Sequence, residues 1–172
     1  MILAPSLRKL ALTAHVTSSV GWLGAVAGFL FLAVFGLASE DAERVRAAYL
    51  VMEPIGWFVL VPLAFASLLT GLIQSLGTHW GLFRHYWVLF KLLINLFATF
   101  VLLMYMQTLD VVGDVAGDPS ADLSDVRNVS PLLHAALALL LLVVAAALAI
   151  HKPQGRTRYG RRKDREGAAA VP

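Results

Sequence analysis

The sequence predicts an all-α integral membrane four-helix bundle with both termini on the cytoplasmic side. Three observations predict it. The 172 residues are 59% hydrophobic and 15% charged, with a mean hydropathy of +0.74. The charges cluster, leaving four stretches long and apolar enough to cross a bilayer as helices. Lysine and arginine also gather at alternate stretch ends, as the positive-inside rule requires.

The first span covers about residues 10–38 and carries no charge. Gly36-Leu37-Ala38 looks like a small-residue cleavage site, but a secretory apolar core is only about 7–15 residues long, so the stretch reads as a retained helix. Ser39 with Glu40, Asp41 and Glu43 then opens a short interfacial helix reaching Met52. The second span covers about 54–76 and contains Pro62, which a bundle tolerates when neighbours satisfy the freed carbonyl. Gly77 to Arg84 is a tight connection. The third span runs over about 85–109, followed by a polar loop with Asp110, Asp114, Asp118, Asp122 and Asp125. Pro131 opens the fourth span, about 131–150, and Pro153 and Gly155 close it. Residues 151–172 form a basic cytoplasmic tail without apolar periodicity, expected to be disordered.

Of 14 lysines and arginines, Arg8, Lys9, Arg84, Lys91 and seven in the tail belong to one side, and Arg44, Arg46 and Arg127 to the other. That places the termini and the Gly77–Arg84 turn in the cytoplasm, with nine of the eleven acidic residues outside. The partner so implied is the lipid bilayer, with anionic lipid at the basic tail, and no nucleic acid. The absence of cysteine excludes disulfides, thiolate metal sites and cysteine nucleophiles. Trp57, Trp80, Trp87, Tyr49, Tyr86 and Tyr105 fall near span ends and read as an interfacial aromatic belt.

Ionisable residues inside a span are costly and face the bundle interior. His15 and Lys91 each lie roughly 7 Å inside the cytoplasmic edge at 1.5 Å per residue, so they share a layer. Ser18, Ser19 and Trp22 follow His15 on one face, Asn95 and Thr99 follow Lys91, and Ser67, Thr70, Gly71, Gln74 and Thr78 recur on span two. Three polar stripes therefore converge in the cytoplasmic half. The competing reading of the small and hydroxyl residues is close helix packing; Lys91 competes as a snorkelling cation, and His15 as an interhelical hydrogen-bonding residue. His79, His85 and His151 read as interface residues, and His134 as a structural partner of Glu53. Imidazole suits haem iron, copper or zinc. His15 with His151 is the best pair for a haem or metal, while a dinuclear centre lacks the required paired spacing.

His15-Val-Thr-Ser-Ser-Val-Gly-Trp22-Leu-Gly24, with Thr70-Gly71 and Trp87-Val-Leu-Phe-Lys91-Leu92, resembles HemJ-type protoporphyrinogen oxidases and CopD-like membrane proteins over spans one to three. The whole chain is also similar to small four-span membrane proteins of high-GC bacteria. The resemblance implies a bacterial inner-membrane location, a four-helix core, His15 as a haem ligand and Lys91 as a functional cation in the same layer. Phe35-Gly36-Leu37-Ala38 departs from the HemJ pattern, which continues into Arg and Tyr-His. Two functions follow. One is a b-type haem or redox membrane protein with a site of His15, Lys91, His151, Trp22, Asn95 and Gln74. The other is a non-catalytic protein, without cofactor, whose stripes pack helices or bind a partner subunit in a homo- or hetero-oligomer.

Overall fold

Proline and glycine divide the chain into helices whose ends the apolar pattern alone does not set. The computed structural model describes residues 4–78 and 81–169; His79 and Trp80, read above as interface residues, lie outside them. Helix α1 runs over Pro5–Ala38 with proline in its first turn. Helix α2 is Ala42–Ile55, and the Asp41 carboxylate accepts from the amides of Glu43 and Arg44 as its N-cap. A π-helical turn, Gly56–Leu60, joins α2 to α3, Val61–Leu76. Helix α4 is Tyr86–Gly117, α5 is the single turn Leu123–Val126, α6 is Ser130–His151 and α7 is Arg158–Ala169. No strand occurs among the described residues; His85 and Arg156 form one isolated bridge.

Four helical stretches are long and apolar enough to cross a membrane: Pro5–Ala38, Ala42–Leu76, Tyr86–Gly117 and Leu123–His151. α1 packs against α3 and α6, and α4 against the same two, so α1 faces α4 and α3 faces α6 across the diagonals. α2 continues the second span between α1 and α4. Four antiparallel passes bring both chain ends to one end of the bundle, called here the terminal end. Phe58 (80% exposed), Phe100 and Ile150 stand on the outside, an apolar surface of the kind a bilayer covers.

Three elements differ from the sequence expectation. Residues 42–52 are not a separate interfacial helix but the first third of a continuous second span. Pro62 lacks an N–H and its ring crowds the carbonyl four residues back. The helix answers with one wider turn, in which the Val61 amide bonds Gly56 O, the usual form of a π-bulge. α4 also continues two turns past residue 109. No proline interrupts it before Pro119, and Val112, Gly113 and Ala116 bury a face against α2. The tail is the third difference. Left-handed Lys152 (φ 43°) ends α6, and α7 then docks back on the turn before α4. The Thr157 amide donates to Arg84 O at 3.0 Å, its hydroxyl donates to Phe83 O, and the Gly160 amide donates to that hydroxyl at 3.1 Å. A Cβ on Gly160 would stand 2.4 Å from Arg84 O, so only glycine permits this approach.

The end opposite the termini is densely tied. Arg46 donates to the carbonyls of Ala116 (3.3 Å), Asp118 (2.7 Å) and Ala121, closing the C-terminus of α4 with a cation. Arg127 donates to Ser39 O at 2.6 Å. Tyr49 is fully buried, donating to Asn128 O at 2.9 Å and accepting from the Asn128 amide at 3.1 Å. Tyr49, Trp87 and Tyr105 are thus buried rather than part of an interfacial belt, whereas Trp57 and Tyr86 are exposed. A buried tyrosine needs a hydrogen-bond partner, and for Tyr49 the backbone beyond α5 supplies it.

Candidate functional site

Side-chain size along the bundle axis decides where space is left. In the half away from the termini, Phe29, Met52, Met106 and Leu109 fill the centre. In the terminal half the inward positions are small: Ser19 on α1, Ser67, Gly71 and Ser75 on α3, and Ala145 and Ala149 on α6. Close packing there brings backbones together but leaves the axis unfilled. The result is a cavity of about 560 Å³ among α1, α3, α4 and α6, within the usual size of small-molecule sites.

Five of the six residues singled out from the sequence line this cavity: His15, Trp22, Gln74, Lys91 and Asn95. The sixth, His151, is exposed and does not line it, although its neighbours Ile150 and Lys152 do. The expected His15–His151 pair is therefore not presented to the cavity. α6 turns about 100° per residue, which aims successive side chains in different directions.

His15 is held by α3. Its Nδ1 lies 3.1 Å from Thr70 Oγ1, and its Cε1 would be 3.0 Å from a Cβ on Gly71, so the imidazole rests on bare backbone. The Thr70 hydroxyl donates to Ala66 O at 2.5 Å. With that proton committed, Thr70 is free to accept, and the imidazole tautomer that suits it carries its proton on Nδ1 and leaves the lone pair on Nε2. Ser19 and Ser67 join α1 to α3 at 2.8 Å, and Ser18 Oγ bonds His15 O at 3.1 Å. Thr99 returns its hydroxyl to Asn95 O at 2.8 Å. Part of the polar stripe therefore serves interhelical and local hydrogen bonding.

Among the described residues no hydrogen bond or ion pair reaches the Lys91 ammonium or the side-chain amides of Gln74 and Asn95. Asn95 is buried, and Lys91 and Gln74 are half-buried. Trp87, read from the sequence as an interfacial aromatic, also lines the cavity. Its place as the second residue of α4, in register with Lys91 and Asn95, was the available signal, since Trp87, Lys91 and Asn95 recur every four residues.

The second polar cluster lies near the other end. His134 stacks on Tyr105 with ring centroids 3.9 Å apart, and its Nδ1 meets Ser130 O at 2.9 Å. Glu53 rests instead on Gly113, where its Oε2 would lie 2.9 Å from a Cβ. The expected Glu53–His134 hydrogen bond does not form, because Ser130 in the first turn of α6 and the Tyr105 ring claim the imidazole. No group of three or more His, Asp or Glu side chains among the described residues is placed to hold a metal ion.

Helix lengths and apolar exterior together define a multi-pass α-helical membrane protein, and its bundle holds a mainly apolar pocket edged by a few polar side chains. Comparison with protein-family models, curated proteins and solved structures finds no significant match to the chain.

Proposed function

We propose that the protein is a multi-pass component of a bacterial inner membrane that binds a small amphipathic molecule inside the terminal half of its bundle. The observation that carries this reading is a cavity lined by Lys91, Gln74 and Asn95, whose polar groups have no hydrogen-bond or ion-pair partner among the described residues. Polar groups away from water are costly unless paired, and ionisable residues within spans mark ligand or ion sites. The positive-inside distribution puts the terminal end, and so the cavity, in the cytoplasmic leaflet. The basic helix α7 then lies where anionic headgroups would meet it. Native mass spectrometry of detergent-released protein tests the binding. The reading expects an adduct of small-molecule mass that is lost on Asn95→Leu with Gln74→Leu; a bare polypeptide mass in the wild type overturns it.

A second reading is favoured by one observation. His15 Nδ1 lies 3.1 Å from Thr70 Oγ1, whose hydroxyl donates to Ala66 O; an imidazole that donates from Nδ1 there would keep Nε2 free for a metal, as outer-shell partners of ligating histidines do. The donors fit a b-type haem with one axial histidine, since among the described residues no second histidine and no methionine lines the cavity. His15 would ligate and Lys91 would meet a propionate; the haem would supply one-electron redox chemistry. Reduced-minus-oxidised absorption spectra test it. A Soret and α band abolished by His15→Ala support it, and a flat spectrum from haem-replete cells sets it aside. If both tests fail, packing or partner-subunit binding becomes the working function, with Ser19–Ser67 as its best-placed contact.

A further inference from the structure

The charges around the cavity are unbalanced. Lys91 and Lys152 line it, and among the described residues no Asp or Glu does. Lys152 is already engaged in an interaction; no hydrogen bond or ion pair reaches Lys91 among the described residues. Glu166, in the tail helix at this end, is already paired with Arg162 and Lys163. A cation within a span, roughly 7 Å inside the end of α4, is favourable only beside an anion or in water.

The walls differ in character. α3 and α4 contribute Gln74, Ser75, Lys91 and Asn95, whereas α6 contributes Leu142, Ala145 and Ile150. A ligand suited to both walls has one oxygen-rich edge and an apolar body. Resting on the cavity reading above, we infer that the ligand is a monocarboxylate with an apolar body, its carboxylate received by the Lys91 ammonium and by N–H groups of Gln74 and Asn95. A carboxylate offers about four lone-pair sites, enough for an ammonium and two amide donors. A phosphate monoester carries about −1.5 to −2 charges and would call for a second unpaired cation, which the cavity wall does not offer.

Trp22 and Trp87 line the cavity, so a brominated ligand reports its own binding by quenching their fluorescence. The experiment titrates the purified full-length protein with 11-bromoundecanoate and with 11-bromoundecanol, which share an apolar body and differ in the head. The visible spectrum is recorded alongside. A charge-assisted hydrogen bond is worth about 1.5–3 kcal/mol, so the carboxylate is expected to quench saturably at a concentration about tenfold or more below the alcohol. Lys91→Gln should bring the two within about twofold, and Lys91→Arg should keep most of the difference. Unchanged quenching by the alcohol in Lys91→Gln shows that the variant has kept its fold. Equal binding of both probes to the wild type, or a carboxylate preference that survives Lys91→Gln, overturns the inference while leaving the cavity reading intact. Saturable quenching by neither probe overturns both.

Discussion

At the scale of single residues, the molecule separates polar groups that hold helices together from polar groups that face open space. Ser67 belongs to the first kind, because its hydroxyl is spent on Ser19 across the α1–α3 contact. Interhelical hydrogen bonds in membrane bundles average about 0.6 kcal/mol. Ser67→Ala should therefore lower stability by about that amount, read from denaturant titration in mixed micelles; a loss several times larger would mean the serine supports more than one contact. Thr70 is different, since it fixes the ring orientation of His15 through its oxygen. Thr70→Val keeps the shape and removes the acceptor. Under the haem reading it should weaken or shift the Soret band, whereas Thr70→Ser should retain it. Arg46 is the strongest candidate for a stability residue, with three carbonyls depending on one guanidinium. Arg46→Ala should cost about 2 kcal/mol, measured as a lower midpoint of thermal unfolding in detergent. Arg46→Lys should recover only part, because an ammonium cannot reproduce the planar fork. Nearby, hydrogen bonds from the Ser120 hydroxyl and amide hold the exposed Asp118 carboxyl below its usual range. A lowered carboxyl contributes stability above its unfolded pKa and loses it as pH falls through the folded value, so this corner loosens on the acid side only.

At the scale of elements, the helices were legible and their junctions were not. Hydropathy marks where a chain can be buried in lipid, so the four apolar stretches announce themselves in the sequence. Pro62 was visible too, but whether a proline ends, kinks or bulges a helix depends on what packs around it; here Gly56 lies against Met106. The extension of α4 was hidden by Asp110 and Asp114, which look like loop residues although they occupy one side of a helix whose other side buries Val112 and Ala116. The tail is the clearest case. Nothing in Arg156-Thr-Arg-Tyr-Gly-Arg-Arg-Lys-Asp-Arg shows apolar periodicity, and α7 forms because Thr157 donates to the carbonyls of Phe83 and Arg84 while Gly160 donates to the Thr157 hydroxyl and leaves room beside Arg84 O. Gly160→Val should break that contact. Hydrogen exchange across residues 158–169 should then accelerate towards the rate of an unprotected peptide, while the spans stay protected. Equal exchange in wild type and variant would show that the docking does not hold α7.

For the whole molecule, the convergence of His15, Gln74, Lys91 and Asn95 could be read from helical spacing and estimated depth, because in a membrane each polar stripe must find the interior. His151 defeated the same reasoning, since depth alone does not say which way a terminal side chain points. Orientation in the bilayer rests on a different quantity, the placement of lysine and arginine, and its test is independent of any cofactor. The chain has no cysteine, so single cysteines can be introduced without a background. Ser120→Cys, in the exposed connection between α4 and α5, and Gln154→Cys, in the exposed segment between α6 and α7, sit at opposite ends of the bundle. The positive-inside distribution expects a membrane-impermeant maleimide to label Ser120→Cys in intact cells and Gln154→Cys only after the membrane is opened. The reverse pattern would place the cavity in the outer leaflet and remove the contact between α7 and cytoplasmic anionic lipid. Labelling of both sites in intact cells would mean an even number of crossings between them, so that the Leu123–His151 stretch does not cross the bilayer.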